Sequence, residues 1–364
     1  MFSATDHQHM SRALQLAERG LYTTSPNPRV GCVIVNNGVV VGEGWHERAG
    51  EAHAEVNALS QAREAARGAT AYVTLEPCGH QGRTPPCSAA LISAGVARVI
   101  AAMQDPNPRV SGGGLAQLQA HGIEIAVGLM EAQARDLNPG FISRMERHRP
   151  WVRAKIAASL DGRTALENGA SQWITGDAAR RDGQRWRARA SAILTGVGTV
   201  LKDDPRLTVR DLDIERQPLR VVVDSRLRTP PSARILQGGG VLIVCADDSA
   251  PRASTLRALG GEVLALPDAG GKIDLSRLLK ELARREVNEL HVEGGAKLNG
   301  ALLQHHLVDE VLLYLAPSLL GSGAQGMFEI PALSALDQRH DLDIQEMRAI
   351  GKDMRIRAKL AQAR

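Results

Sequence analysis

What most constrains this chain is an alternation. Short β-branched runs and amphipathic helical segments follow one another along nearly its whole length, with one interruption at the charged stretch MERHRP of residues 145–150. Strands separated by helices build sheets whose crossovers cover their faces, so the chain belongs to the α/β class. At 364 residues it also exceeds what one hydrophobic core spans, since cores rarely grow past about 250–300 residues. The interruption therefore marks the expected boundary, between domains 1–147 and 148–364.

In the first part Asp6 is the expected cap of a helix carrying Met10, Ala13, Leu14 and Ala17 and ending at Gly20. Runs 30–35 and 39–41 flank Asn36-Asn37-Gly38, a strong hairpin signal. Helices follow over 54–66, 88–94 and 115–121, alternating with strands over 71–75, 96–101 and 123–127, which predicts a sheet largely parallel after its hairpin. MERHRP shows neither helix nor strand periodicity and reads as a linker.

The second part opens with a strand over 152–158 and a helix from a capping Asp177 to residue 190. Strands over 192–196, 219–224, 241–246, 262–266, 289–293 and 310–315 alternate with helices over 250–259, 275–285 and 296–305. Residues 341–350 and 352–360 read as a closing antiparallel pair. The five arginines Arg180, Arg181, Arg185, Arg187 and Arg189 share one helix, and most are expected on a solvated face.

Composition removes several function classes. No run approaches the roughly 18 apolar residues that a membrane helix needs, and the nearest, 311–320, contains Pro317. The start, MFSATDHQHM, has neither the basic nor the apolar segment of a secretory signal, so a cytoplasmic protein is expected. A net charge of +4 is small for this length, and 3% aromatic residues provide few stacking platforms, so no nucleic-acid partner is expected. Four cysteines (Cys32, Cys78, Cys87 and Cys245) are too few for a disulfide scaffold; metal binding or burial should account for them.

His53-Ala54-Glu55 lies between a loop and a helix, and Pro77-Cys78 and Cys87 follow a strand. One histidine and two cysteines are the ligands of a catalytic zinc, which keeps its fourth position for water and lowers that water's pKa to about 7. Glu55 is the candidate proton shuttle. H-x-E with P-C-x-x-C is the signature of zinc deaminases, although here GHQGRTPP puts eight residues between the cysteines. A structural zinc with His80 as fourth ligand is the competing reading. Residues two apart do not share a helix face, so His53 and Glu55 converge only if the first turn is irregular. In the second part, residues 292–298 (VEGGAKL) and 195–199 (TGVGT) each read as strand, glycine turn and helix, two halves of a cradle for phosphate and ribose.

The runs PNPRVGCVIV, GWHERAGEAHAEVNAL and TLEPCGHQGRTPPC resemble the pyrimidine deaminase half of the bifunctional riboflavin biosynthesis deaminase-reductase family, in which the cysteines have this longer spacing. SLDGR (159–163), SQWIT (171–175) and DDPRLTVR (203–210) are similar to its reductase half. The resemblance covers both parts of the chain. It implies a cytidine-deaminase-like three-layer α/β/α domain, followed by an α/β domain similar to dihydrofolate reductase. It also implies Zn2+ on His53, Cys78 and Cys87, Glu55 as proton carrier, and Asn27, His46, His80 and Arg83 around a phosphorylated pyrimidine. For the reductase it implies NADPH at Ala157, Trp173, Thr199, Asp203, Ser225 and the stretch Gly295, Ala296, Lys297, Leu298, Asn299, Gly300 and Ala301. Substrate is expected at Ser171, Arg187, Leu207, Arg210 and Glu293, and the chain is expected to form a homo-oligomer, a dimer or tetramer. Two rival readings are a tRNA adenosine-type deaminase fused to an unrelated reductase and a zinc-stapled module without catalysis.

Overall fold

The alternation folds into two separate large sheets. The computed structural model describes residues 1–79, 85–108 and 110–361, and the chain divides into two compact units, Met1–His148 and Arg149–Arg364.

The first unit runs α1 (Ala4–Glu18), β1 (Gly31–Asn36), β2 (Val39–Trp45), α2 (Ala54–Ala62), β3 (Thr70–Val73), α3 (Cys87–Ser93), β4 (Arg98–Ala101), α4 (Gly113–Ala120), β5 (Glu124–Val127), α5 (Glu131–Leu137) and α6 (Pro139–Arg147). Its sheet has the order β2-β1-β3-β4-β5, antiparallel about β1 and parallel from β3 onward. Asn37 and Gly38 both have positive φ, as a two-residue hairpin turn requires. Alternate residues of β1 face opposite ways: Cys32 and Ile34 pack against α2, α3 and α4, while Val33 and Val35 pack against α1, α5 and α6. Helices thus cover both faces, making three layers. On β2 a Cβ at Gly44 would lie 2.4 Å from the Ala54 carbonyl, so glycine there lets the start of α2 rest directly on the sheet.

The second unit runs β6 (Trp151–Ser159), β7 (Arg163–Ala165), α7 (Asp177–Arg189), β8 (Ala192–Gly196), α8 (Val197–Asp203), β9 (Leu219–Val223), β10 (Val241–Cys245), α9 (Pro251–Ala258), β11 (Gly261–Ala265), α10 (Leu275–Arg284), β12 (Glu289–Val292), α11 (Ala296–Gln304), β13 (Glu310–Ala316), β14 (Gln325–Gly326), β15 (Leu342–Ile350) and β16 (Asp353–Leu360). Nine strands form one sheet in the order β11-β10-β9-β8-β12-β6-β13-β16-β15, parallel up to β13 and antiparallel beyond it. Helices α10 and α11 cover one face and α8 and α9 the other. The carboxyl ends of the parallel strands therefore share one edge, where open α/β sheets bind ligands.

Several local expectations are corrected. Ser3, not Asp6, caps α1: the Ser3 hydroxyl accepts the Asp6 N–H at 3.1 Å, and the Asp6 carboxylate accepts the Ser3 N–H at 2.8 Å. This is a capping box, in which the acidic residue is the third of the helix. The helix expected over 54–66 stops at Ala62, because Arg63 has a φ of 50° and only a 3-10 turn continues. Met145, Glu146 and Arg147 are not linker but the last turn of α6, which Pro139 starts and whose Phe141 and Ile142 bury one face. Asp177 does not cap α7: Gly176 holds that position, and the Asp177 carboxylate pairs with Arg180 instead.

The arginine row is less solvated than expected. Arg187 and Arg189 both reach into ion pairs, with Glu293 and Glu289 respectively. Arg180 lies 4.5 Å from the ring centre of Trp173. Arg181 and Arg185 are exposed.

Candidate functional site

His53 solves the spacing problem by standing outside the helix. It is the residue before α2, with an extended backbone (φ −77°, ψ 165°), while Glu55 sits in the first turn, so the two side chains leave the backbone from different conformations. Cys78 follows β3, and Cys87 is the first residue of α3. The ligand atoms of His53, Cys78 and Cys87 all lie within 4.8 Å of one another. His53 Nδ1 is 3.2 Å from Cys87 Sγ and 3.7 Å from Cys78 Sγ, and the Cys87 backbone N–H donates to Cys78 Sγ at 3.3 Å. Hydrogen bonds from the Cys87 thiol and from His53 hold the Cys78 thiol well below the usual thiol range. One nitrogen and two soft sulfurs at this separation, one already favouring thiolate, fit zinc.

Glu55 is 3% exposed, and burial, aided by the nearby Cys78 charge, pushes its carboxyl up to about 7. A carboxyl near neutrality can both take and return a proton at working pH. His46 approaches His53 edge-on at 5.3 Å between ring centres. The His46 ring lies between the Ala52 carbonyl, 3.1 Å from Nδ1, and the Asn27 amide, 3.1 Å from Nε2. With Nδ1 donating and Nε2 accepting, this is a neutral imidazole, and burial lowers its pKa accordingly. His46 thus stands beside the cluster of His53, Cys78 and Cys87, with Asn27 behind it. His80 and Arg83 lie outside the described residues.

In the second unit the two glycine turns are neighbours, because β8 and β12 pair in the sheet. The Thr195 hydroxyl donates to the Glu293 carbonyl at 2.8 Å, stitching one turn to the other. Gly295 caps α11, and Ala296 and Lys297 occupy its first turn, whereas Asn299 is 1% exposed and the Gly300 backbone packs on Glu329. Thr199 and Asp203 lie on α8, Ser225 follows β9, and Ala157 lies within β6 opposite Tyr314. Asp204 ends α8 with a φ of 39°, and its carboxylate accepts the Arg234 N–H at 2.7 Å. Trp173 is 69% exposed, and Ser171 is half-buried in the same loop.

Glu293 and Arg187 meet as a pair, and Arg187 Nη1 also donates to the Thr208 carbonyl at 3.0 Å. Leu207 is buried with a φ of 51°, and the Arg210 side chain is exposed. Sequence reasoning missed two groups beside this pair. Lys155, in the middle of β6, faces Glu293 and Arg187, and burial lowers the pKa of its ammonium. His291 is fully buried, with Nε2 3.5 Å from Glu293 Oε1, and burial keeps it neutral. A lysine within the mostly apolar β6 and a histidine between two apolar residues of β12 are the available signal.

Comparison with known proteins covers both units. The family model described as RibD C-terminal domain matches residues 150–356, and that described as cytidine and deoxycytidylate deaminase zinc-binding region matches residues 3–103. The riboflavin biosynthesis protein RibD of Escherichia coli (strain K12) is 51% identical over 363 residues, 96% of this chain and 98% of that protein. Its counterpart in Haemophilus influenzae is 48% identical, over 98% of this chain and 97% of its own length. Among solved structures, Acinetobacter baumannii RibD superposes with a TM-score of 0.92 at 44% identity, covering 98% of this chain and 99% of that one. A Thermotoga maritima diaminohydroxyphosphoribosylaminopyrimidine deaminase/5-amino-6-(5-phosphoribosylamino)uracil reductase does so with a TM-score of 0.87 at 33% identity and the same coverage.

Proposed function

The chain belongs to the RibD family of riboflavin biosynthesis proteins, and from that premise we propose how its residues share two reactions. It is a bifunctional enzyme, a zinc-dependent deaminase and an NADPH-dependent reductase. The reading assigns deamination of 2,5-diamino-6-ribosylamino-4(3H)-pyrimidinone 5′-phosphate to residues 1–147. Reduction of the ribosyl chain, giving 5-amino-6-ribitylamino-uracil 5′-phosphate, falls to residues 148–364. A tRNA deaminase fused to an unrelated reductase is not favoured, since relatives match along nearly the full length.

In the first unit His53, Cys78 and Cys87 would hold zinc, which when bound supplies an activated water. As the water oxygen bonds to the ring carbon that carries the exocyclic amine, Glu55 moves one water proton to the adjacent ring nitrogen and then the second to the amine, so that the C–N bond breaks, ammonia leaves and a carbonyl remains. Asn27 and His46 orient the ring, and the resemblance adds His80 to the pocket and Arg83 on the phosphate. The observation carrying this reading is the convergence of the three ligands beside a buried carboxyl raised to about 7.

In the second unit bound NADPH would supply the hydride that reduces C1 of the sugar. Ala157, Trp173, Thr199, Asp203, Ser225 and the stretch 295–301 would hold it, Asn299 and Gly300 from behind as the packed part of α11, with the N–H groups at Gly295, Ala296 and Lys297 suited to phosphate. Ser171, Leu207, Arg210 and Glu293 face substrate, and Arg187 positions Glu293 rather than standing free. Lys155 is placed to protonate the sugar-ring oxygen as the ring opens, ahead of hydride arrival.

The testing experiment is Glu55→Gln assayed for both steps. Ammonia release collapses while NADPH oxidation on the deaminated intermediate persists; loss of both activities, or of neither, overturns the division of labour. Among the described residues no helix is long and apolar enough to cross a membrane. We place the enzyme in the cytoplasm as a homo-oligomer, a dimer or tetramer, which sedimentation would test.

A further inference from the structure

Glu76 is a carboxylate with 3% exposure, two residues before Cys78. Its hydrogen-bond partners are backbone N–H groups. Oε2 accepts from Asp105 at 3.2 Å and Gly112 at 3.0 Å, and Oε1 accepts from Gly114 at 3.1 Å and Leu115 at 3.4 Å. Gly112 caps α4, and Gly114 and Leu115 lie in its first turn; the cap itself offers no side-chain bond, so Glu76 caps this helix from another segment.

Three further contacts bind the same helix to the cysteines. A Cβ at Gly114 would fall 1.7 Å from the Pro77 carbonyl oxygen, so the backbones before Cys78 and at the start of α4 touch directly. The Gln117 amide donates to the Gly79 carbonyl at 2.8 Å, just after Cys78. The Gln117 side-chain oxygen Oε1 accepts from the Ser88 hydroxyl at 2.7 Å, just after Cys87, and the Ser88 N–H donates to the Cys78 carbonyl at 3.1 Å. Residues on both sides of Cys78 and the one following Cys87 are thus gripped by the first two turns of a helix that supplies no ligand.

We propose that α4 is the frame of the metal centre, with Glu76 and Gln117 as positioning residues that hold Cys78 and Cys87 at ligand separation. Neither touches the metal or the reacting atoms. Partners behind metal ligands typically change affinity by about 10–100-fold when removed, because the ligands then spend part of their time misaligned. Glu76→Gln replaces one accepting oxygen with a donor facing backbone donors, which pushes the start of α4 away from residues 76–79. Gln117→Leu and Ser88→Ala cut only the tie between the two cysteine segments.

The inference rests on His53, Cys78 and Cys87 being the ligands, and its test separates the two ideas. The full-length zinc enzyme and its Glu76→Gln, Gln117→Leu, Ser88→Ala and Cys78→Ser variants are mixed with a chromophoric chelator, and zinc transfer is timed. The same proteins are reloaded with cobalt(II), whose visible absorption bands report the symmetry of the ligand set. Glu76→Gln should lose zinc about tenfold faster or more, with altered cobalt bands. Gln117→Leu and Ser88→Ala should shift both readings the same way by less, while NADPH oxidation on the deaminated intermediate stays unchanged. If Cys78→Ser loses zinc but these three match the unmodified enzyme in release rate and spectrum, the frame is refuted, even where melting temperature falls. Wild-type zinc retention by Cys78→Ser would refute the ligand assignment instead. Should Glu76→Gln not fold, Gln117→Leu and Ser88→Ala decide, since Gln117 is exposed and the Ser88 change is one oxygen.

Discussion

The Arg187 guanidinium grips the Glu293 carboxylate at two points, Nε to Oε1 at 2.5 Å and Nη2 to Oε2 at 2.9 Å, across 106 residues of sequence. Burial alone would raise the Glu293 carboxyl, but the Arg187 charge and hydrogen bonds, with Lys155 and His291, hold it well below the ordinary 4.5. A carboxyl whose folded pKa is depressed adds stability above its unfolded pKa, and that stability is lost as pH falls through the folded value. Glu293→Gln should therefore lower stability at pH 7, by about 1.5–3 kcal/mol for losing the charge from a partly buried, hydrogen-bonded pair. Denaturant melts of the variant should lose less additional stability below pH 4.5 than those of the unmodified enzyme. An unchanged acid limb would show that the pair carries no such linkage.

Arg210 offers an exposed guanidinium, while its backbone N–H is anchored to the Gln184 amide oxygen at 3.0 Å. A charged hydrogen bond to phosphate is worth about 1.5–3 kcal/mol, or roughly 10–100-fold in binding. Arg210→Ala should raise KM for the phosphorylated substrate by that order while leaving KM for NADPH nearly unchanged. Steady-state NADPH oxidation measures both, and equal effects would reject the phosphate role.

Removing zinc should separate the two activities. Two apolar cores pack on opposite faces of the first sheet without the metal, so chelation is expected to abolish ammonia release with the circular dichroism spectrum retained. NADPH oxidation on the deaminated intermediate should continue. Unfolding of the first unit on chelation would favour a structural zinc.

Gly300 is a packing glycine inside the expected cofactor stretch: a Cβ there would lie 2.0 Å from the Glu329 carbonyl oxygen. Gly300→Ala should cost about 1–3 kcal/mol through overpacking, a fall of several degrees in the melting temperature of the second unit. Gly183, within α7, has nothing within 4 Å of its would-be Cβ. Gly183→Ala should be neutral or stabilising by up to about 1 kcal/mol. Scanning calorimetry on both variants distinguishes a steric clash from a general intolerance of change.

The two α/β sheets, the hairpin at Asn37-Gly38, the glycine turns of the second unit and the grouping of His53, Cys78 and Cys87 as candidate ligands are all legible in the sequence. Each rests on a short-range signal: a period, a turn dipeptide, or ligand types at a readable spacing. Short-range signals compete at Ser3 and Asp6, both capping residue types, and at residues 145–147, where a run of charge masks the last turn of α6. Which polar side chains are buried, and against what, depends on long-range folding. Glu76 finds its partners at residues 105–115, Arg187 finds Glu293, and Lys155 acquires its surroundings from Glu293, just after β12, and from Arg187 of α7. A buried charge must be matched by donors or counter-charges that the chain brings from far away, and no local pattern records which distant backbone will arrive.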